Sequence, residues 1–343
     1  MAMYIDVHLY SNSSNFINYQ QDLIIMHYLL TGGAGFIGSH LTDILLEQGH
    51  KVCILDTFAK NHGENVADHM GKKNLELHKI DCTESSVNYD MVFSHTKFDG
   101  LFHLAAIPSV PYSFQHPAET RQVNVGGTLN MIQTCIKYQV PRLVFASSAA
   151  VYGDALKIPT PETEALNPTS PYAEQKSESE RACEKAFKEH ALETISLRFF
   201  NVFGPRQPVS GGYAAVIPSF ILAACNSQPM NIYGDGEQTR DFVYVGDAVA
   251  ALVAAMHNKN TELYSTACNI GSGSETKIMT LASCIRQETK PSIGISHKDP
   301  APGPRRSCAD IRRAEMLLGW KPTISLEQGL RYTIAYFSKN KTL

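Results

Sequence analysis

At 343 residues, with 43% hydrophobic and 18% charged, the chain is long enough for a sizeable core and reads as a soluble globule of one α/β domain plus a smaller lobe. A formal net charge of −3 with no Lys/Arg run argues against nucleic acid or an anionic membrane as the main partner. The eight cysteines form no CxxC pair and the thirteen histidines no HExxH, so neither a disulfide framework nor a metal site is expected, which suits a reducing cytoplasm.

Residues 1–25 lack a basic n-region and a continuous apolar core, so they read as a loosely attached N-terminal extension, not a signal peptide. Met26 stands directly before the first strand-like run and is the expected biological start. No apolar run approaches the ~20 residues of a membrane-spanning helix. Strands are predicted at 26–31, 51–56, 75–80, 98–105, 142–147 and 194–200, with helical spacing at 36–48, 119–139 and 172–190. Short strands that are apolar throughout and separated by helices predict a parallel sheet covered on both faces. Right-handed crossovers then give a doubly wound fold with ligands at the carboxyl ends of the strands. This domain is placed at 26–200. After Asn201 the chain turns rich in Gly and Pro, and a second lobe is placed at 201–343. Within it, 241–273, holding the compact apolar helix 247–257 and the run ACNIGSG, is expected to return to the sheet.

TGGAGFIGSH (31–40) follows the first strand and opens a helix. Gly33-x-Gly35-x-x-Gly38 and Gly32-x-x-Gly35-x-x-Gly38 both fit a dinucleotide loop. Such a loop needs a tight turn, then backbone close to a pyrophosphate, then tight helix–strand packing. Asp56 ends the second strand, 18 residues after Gly38. A carboxylate there accepts from both adenosine ribose hydroxyls and repels a 2′-phosphate, favouring NAD over NADP.

Of the fifteen tyrosines only Tyr172 has a lysine four residues on, Lys176. On a helix the two share a face. A nearby ammonium favours phenolate, which would make Tyr172 an acid/base for an alcohol or sugar hydroxyl. Ser148, in FASSAAVYGD (145–154), would add a hydroxyl from the end of the preceding strand.

With TGGAGFIG, LAA (104–106), SSAAVYG, SPYAEQK, NVFGPRQ, TRDFVYV and RSCADIRRAEMLLGWKP in collinear order, the chain resembles the extended short-chain dehydrogenase/reductase superfamily, and within it the NAD-dependent UDP-hexose 4-epimerases. The resemblance spans about residues 26–335. It implies a Rossmann domain holding resident NAD and a C-terminal α/β lobe for the nucleotide sugar. Position by position it implies a catalytic set of Ser148, Tyr172 and Lys176. Tyr172 would take the 4-hydroxyl proton, Ser148 would bond the 4-oxygen and Lys176 would also hold the nicotinamide ribose.

The cofactor positions it implies are Gly32, Gly35, Phe36, Ile37, Asp56, Asp81, Cys82, Leu104, Ala105, Ala106, Asn124 and Phe199. On the substrate side it implies Ser109, Asn201, Ala215, Val216, Tyr233 on the uracil and Arg240 on the diphosphate. Relatives form a homodimer through helices at 119–139 and 172–190, and the same is expected here.

The family's second phosphate arginine would fall at Pro300, so Arg305, in preference to Arg306, is expected to replace it. Ser307 aligns with a position that gates sugar size. A small residue there, with the loop SVPYS (109–113), implies room for a 2-N-acetyl group and so UDP-GlcNAc/UDP-GalNAc, with UDP-Glc/UDP-Gal also open. Dehydratases of this fold carry an Asp-Glu pair where this chain has Ala149 and Ala150, so dehydration is disfavoured. The alternatives are a UDP-glucuronate epimerase or decarboxylase, with Arg121 or Arg305 meeting the carboxylate, and a non-catalytic NAD-binding regulator.

Overall fold

A computed structural model describes residues 24–59, 63–84, 87–93, 96–209, 215–289, 292–300 and 303–340; the proposed extension lies almost wholly outside the described residues. The first half alternates β1 (His27–Thr31), α1 (Phe36–Glu47), β2 (Lys51–Asp56), β3 (Leu75–Lys79), α2 (Val87–Phe93), β4 (Gly100–His103), α3 (Val110–Gln115), α4 (Pro117–Arg121), α5 (Gly127–Tyr138), β5 (Arg142–Ser148), α6 (Pro171–His190) and β6 (Glu193–Phe199). There follow β7 (Asn201–Phe203), α7 (Val216–Cys225), β8 (Met230–Tyr233), β9 (Thr239–Arg240), β10 (Phe242–Tyr244), α8 (Val245–His257) and β11 (Thr266–Ile270). The chain closes with β12 (Thr276–Lys277), α9 (Ile278–Glu288), β13 (Ile295–Lys298) and α10 (Leu326–Asn340).

Seven parallel strands make the central sheet, in the order β11-β6-β5-β4-β1-β2-β3. β1 to β3 run outward to one edge and the chain then returns to β4 beside β1. That reversal opens a crevice at the carboxyl ends of β1 and β4. The strands are apolar throughout because alternate residues feed two different cores. Tyr28, Leu30, Ile54, Phe102 and Val144 pack with Leu41 and Leu45 of α1 and Leu252 of α8. Leu29, Leu55, Leu101, Leu143 and Phe145 pack with Met131 of α5 and Cys183 of α6. Each such side chain, fully buried, contributes about 1.5–3 kcal/mol.

β11 pairs with β6 in register, Cys268 opposite Leu197, so a segment from beyond residue 241 completes the sheet's edge. A separate core, built on Phe203, Phe220, Ile232, Leu281 and Leu330, holds the small paired strands β8 with β13 and β7 with β10.

Two expectations need correction. The strand expected over 98–105 is only Gly100–His103; Leu104 N still donates to Thr31 O, and the chain then passes Gly32 at Ala105. The helix expected over 119–139 is continuous in direction, yet it carries a wide turn at Gln122–Gly126 between α4 and α5. Such widened turns often mark functional positions, and this one contains Asn124.

Candidate active site

The loop after β1 is built from close approaches. Gly32 has φ +71°, and a Cβ on it would sit 2.8 Å from Ala105 N. A Cβ on Gly38 would sit 2.2 Å from Gly32 O and 2.8 Å from Gly33 Cα. Only glycine lets α1, β1 and the Leu104–Ala106 strand end meet this tightly. Gly35 occupies the N-cap of α1 without a side-chain cap, so the first-turn N–H groups face outward with no internal competitor. Asp56 Oδ2 accepts from Ala34 N at 3.1 Å and Oδ1 from Phe58 N at 2.8 Å, which fixes the carboxylate at the strand end with lone pairs to spare. These features fit a dinucleotide, with the diphosphate at α1 and a ribose at Asp56.

Gly38→Ala is expected to cost about 1–3 kcal/mol by overpacking and to lower the NAD retained through purification. A urea midpoint and the cofactor content of the purified protein check both.

Other cofactor positions differ in their local duties. Phe36 and Ile37 open α1 and also pack on the C-terminal core. Cys82 is buried beside Gly127, and Asp81 turns the chain by accepting from Thr83 N. Asn124 is buried in the wide turn, where Oδ1 accepts from Ile107 N at 2.8 Å and Nδ2 donates to Gln175 Oε1 at 2.8 Å. It therefore ties the segment after β4 to α6. Phe199 ends β6 opposite Ser148.

The sequence brings Ser148, Tyr172 and Lys176 together as expected. Ser148 ends β5 and caps the short turn Ala149–Tyr152, its Oγ accepting from Ala150 N at 3.2 Å. Its own proton remains to face the Tyr172 phenol, whose rise the Ser148 hydroxyl partly opposes. Ser170 caps α6, so Tyr172 lies in the first turn and Lys176 one turn later.

The expected charge effect is reversed. Burial pushes the Tyr172 phenol up to about 12, the Ser148 hydrogen bond only partly opposing it. Lys176 Nζ donates to Ala146 O at 2.7 Å, 4.7 Å from the Phe145 ring centre and 5.9 Å from that of Tyr172. Burial lowers it to about 8, with Glu180 the foremost opposing charge. Desolvation outweighs attraction because both groups are buried. An alkaline limb of turnover near pH 8, well below ordinary lysine, is therefore expected as the ammonium loses its proton; a profile flat to pH 10 would speak against this role.

Sequence reasoning missed two supports. Glu180 lies two turns beyond Tyr172, on the same stripe of α6. It accepts from Ser147 Oγ at 2.5 Å and pairs with buried Arg198 at 2.7 Å, whose other arm donates to Tyr152 Oη at 2.8 Å. The four-residue spacing was visible, but its partners on β5 and β6 were not. Ser113 Oγ accepts from Tyr172 N at 3.1 Å and donates to Val110 O at 2.7 Å, pinning α6 to α3. Ser109 caps α3 by accepting from Tyr112 N.

In the C-terminal lobe, Tyr233 ends β8 with 55% of its surface exposed, so it is no packed turn aromatic. Arg240 donates to Thr239 O and Pro304 O, both at 2.8 Å. Asp241 is buried and accepts from Ser272, Gly273 and Ala309, leaving no Arg240–Asp241 surface pair. Arg305 stands at the surface in a two-armed pair with Asp235, two residues beyond Tyr233, and Arg306 pairs likewise with Glu275.

Tyr233, Arg240 and Arg305 thus gather around one loop. Asn201 opens β7, exposed, with its N–H on Asp241 O. Ala215 is the N-cap of α7 and Val216 its first residue. Ser307 precedes the bridge Thr160–Ala309, and Ala309 packs with Val151 and Tyr152, which brings this segment beside the turn after Ser148.

The NAD dependent epimerase/dehydratase family matches residues 28–271. Over 318 residues the chain is 39% identical to UDP-glucuronic acid decarboxylase 1 of Xenopus tropicalis, covering 91% of this chain and 72% of that protein. It is similar to the crystal structure of UDP-glucose 4-epimerase from Thermotoga maritima with UDP-glucose, at 36% identity and a TM-score of 0.86, over 92% of this chain and 100% of that one. It is also similar to UDP-N-acetylglucosamine 4-epimerase from Methanobrevibacter ruminantium M1 in complex with UDP-N-acetylmuramic acid, at 34% identity and a TM-score of 0.86, over 92% and 99% of the two chains. With its glycine loop, its strand-end acid and its buried tyrosine and lysine, the chain belongs to the NAD-dependent epimerase/dehydratase family of nucleotide-sugar enzymes.

Proposed function

We propose that this enzyme interconverts the 4-epimers of a UDP-hexose, UDP-GlcNAc and UDP-GalNAc in particular, with the smaller UDP-Glc and UDP-Gal as alternative substrates. The observation that carries this reading is the buried Tyr172 phenol, with the Ser148 hydroxyl near enough to oppose the rise that burial causes and Lys176 beside it, next to Ala149 and Ala150, which cannot move protons. One acid/base at one hydroxyl suits oxidation and re-reduction at C4, whereas elimination of water needs a second.

In its ionised form Tyr172 takes the proton from the 4-hydroxyl and later returns it, the charge of Lys176 drawing out the phenolate against the burial that raises the phenol. Ser148 holds the 4-oxygen by hydrogen bonding, and Lys176 keeps positive charge beside the phenol. NAD supplies a hydride acceptor that becomes the donor within the same turnover. Gly32, Gly35, Asp56 and Leu104–Ala106 would hold it. The 4-keto sugar turns over between the two half-reactions. Arg240 and Arg305 would clamp the diphosphate, Arg305 by exchanging Asp235 for phosphate. Small Ser307 would leave room for the N-acetyl group.

UDP-glucuronate chemistry is the second reading, favoured by the Xenopus relative. It needs a cation for the C5 carboxylate, yet Arg121 is already in a two-armed pair with Glu178. A panel of UDP-GlcNAc, UDP-Glc and UDP-glucuronate, resolved by chromatography, tests both. Fastest turnover of UDP-GlcNAc supports the first, carbon dioxide release from UDP-glucuronate the second, and no turnover with NAD bound a regulator.

We also propose a homodimer through α4, α5 and α6, which light scattering tests directly, and a cytoplasmic setting consistent with eight free thiols. No helix among the described residues is long and apolar enough to cross a membrane.

A further inference from the structure

On the sheet face opposite α1, β2 and β3 bring metal-ligating atoms together outside the catalytic cleft. The Cys53 thiol, a Glu76 carboxylate oxygen and a His78 ring nitrogen all lie within 4.8 Å of one another. The ladder explains why: Cys53 sits opposite Glu76 and His78 follows two residues later, so all three side chains leave the same face. Cys53 is buried, His78 half-buried and Glu76 exposed, which grades the cluster from core to solvent.

His78 Nε2 is itself buried without a hydrogen-bond partner and stands 3.7 Å from Glu76 Oε2. Buried polar atoms without partners are uncommon and call for a cause. His27 on β1, whose side chain leaves the same face as Leu29, carries a second such Nε2.

We infer that Cys53, Glu76 and His78 form a binding site for a single zinc-type divalent ion. One sulfur, one imidazole nitrogen and one carboxylate oxygen suit a borderline-soft ion, whereas magnesium and calcium take all-oxygen sets. Three protein ligands leave the fourth tetrahedral position to water. On binding, the thiol S–H breaks, its proton leaves to solvent and the sulfur's electron pair goes to the metal. No oxidation occurs, and thiolate and carboxylate together balance the ion's charge. Binding therefore weakens as pH falls.

Bound metal would tie the edge strand β3 to β2 three residues before Asp56, bracing the strand that carries the adenosine-side acid. The sequence hid this site because its ligands come from two strands 23 residues apart, so the expectation of no metal rested only on the absence of local ligand spacing. The inference does not depend on which sugar is the substrate.

The test is a cobalt(II) titration of chelator-treated, reduced full-length protein, followed by the thiolate-to-cobalt charge-transfer band. The expected result is one equivalent bound, displaced by zinc, with affinity falling more than about 100-fold in both Cys53→Ser and His78→Gln, beyond the loss that outer partners cause. His78→Gln changes a half-exposed edge position, so it reads the site even if Cys53→Ser folds poorly. Cys225→Ser removes an exposed thiol and should leave the titration unchanged. Zinc should also raise the urea midpoint of the parent protein but of neither ligand variant. A titration without the band, a band kept in Cys53→Ser, or one lost in Cys225→Ser would overturn the inference.

Discussion

Tyr172→Phe is expected to lower turnover by about 10²–10⁴-fold, the range that a positioned acid/base supplies, while leaving the NAD content of the protein unchanged. The ring is buried and stays packed in the variant; only the phenol oxygen near Ser148 is lost. Removing that oxygen also removes the burial cost of a polar group, so the urea midpoint should move little. The split between intact folding and lost turnover is what identifies a proton-transferring residue. Substantial activity in Tyr172→Phe would remove the phenol from the reaction, and the assay needs only the preferred UDP-sugar and chromatographic separation of its epimer.

Arg198→Ala is expected to destabilise the protein by about 3–5 kcal/mol, because it leaves the Glu180 carboxylate buried without its counter-charge. Arg198 Nε and a terminal nitrogen reach Glu180 at 2.9 and 2.7 Å, and both side chains are about one-tenth exposed or less. The loss would spread to the site, since Glu180 also holds Ser147, the neighbour of Ser148, at 2.5 Å. Replacing both partners by apolar residues of similar size, Arg198→Met with Glu180→Leu, should recover much of the stability without recovering turnover. Urea unfolding with an unchanged slope measures the first effect. A single-variant loss below about 1 kcal/mol would mean that solvent reaches the pair.

Much of the fold was legible because its signals are local. The glycines of TGGAGFIGSH, the fully apolar strands and the Pro171 and Ser170 start of α6 each specify their structure within a few residues. The wide turn at Gln122–Gly126 was not legible, and the partners that hold its Asn124, Ile107 and Gln175, lie 17 and 51 positions away. The grouping of Ser148, Tyr172 and Lys176 could be read from spacing, but not its electrostatics. Tyr172 and Lys176 lie one turn apart in any helix, yet burial, which a helix pattern does not report, raises the Tyr172 phenol where a lowering was expected and lowers Lys176 as well. Glu180, Arg198 and Ser113 were missed for the same reason. Each acts across the sheet or between helices. Arg305, in preference to Arg306, was expected to meet phosphate, and the acidic partners of the two, 70 and 31 positions away, appear only in three dimensions.

The most direct test of epimerisation at C4 by a resident cofactor is to run UDP-GlcNAc turnover in D₂O and read the product by proton NMR. The expected result is UDP-GalNAc whose carbon-bound hydrogen at C4 is still protium, because the hydride leaves and returns without meeting solvent, while Tyr172 exchanges only the hydroxyl proton. Deuterium on C4 or C5, or no interconversion of any UDP-hexose pair by the NAD-loaded enzyme, would contradict it.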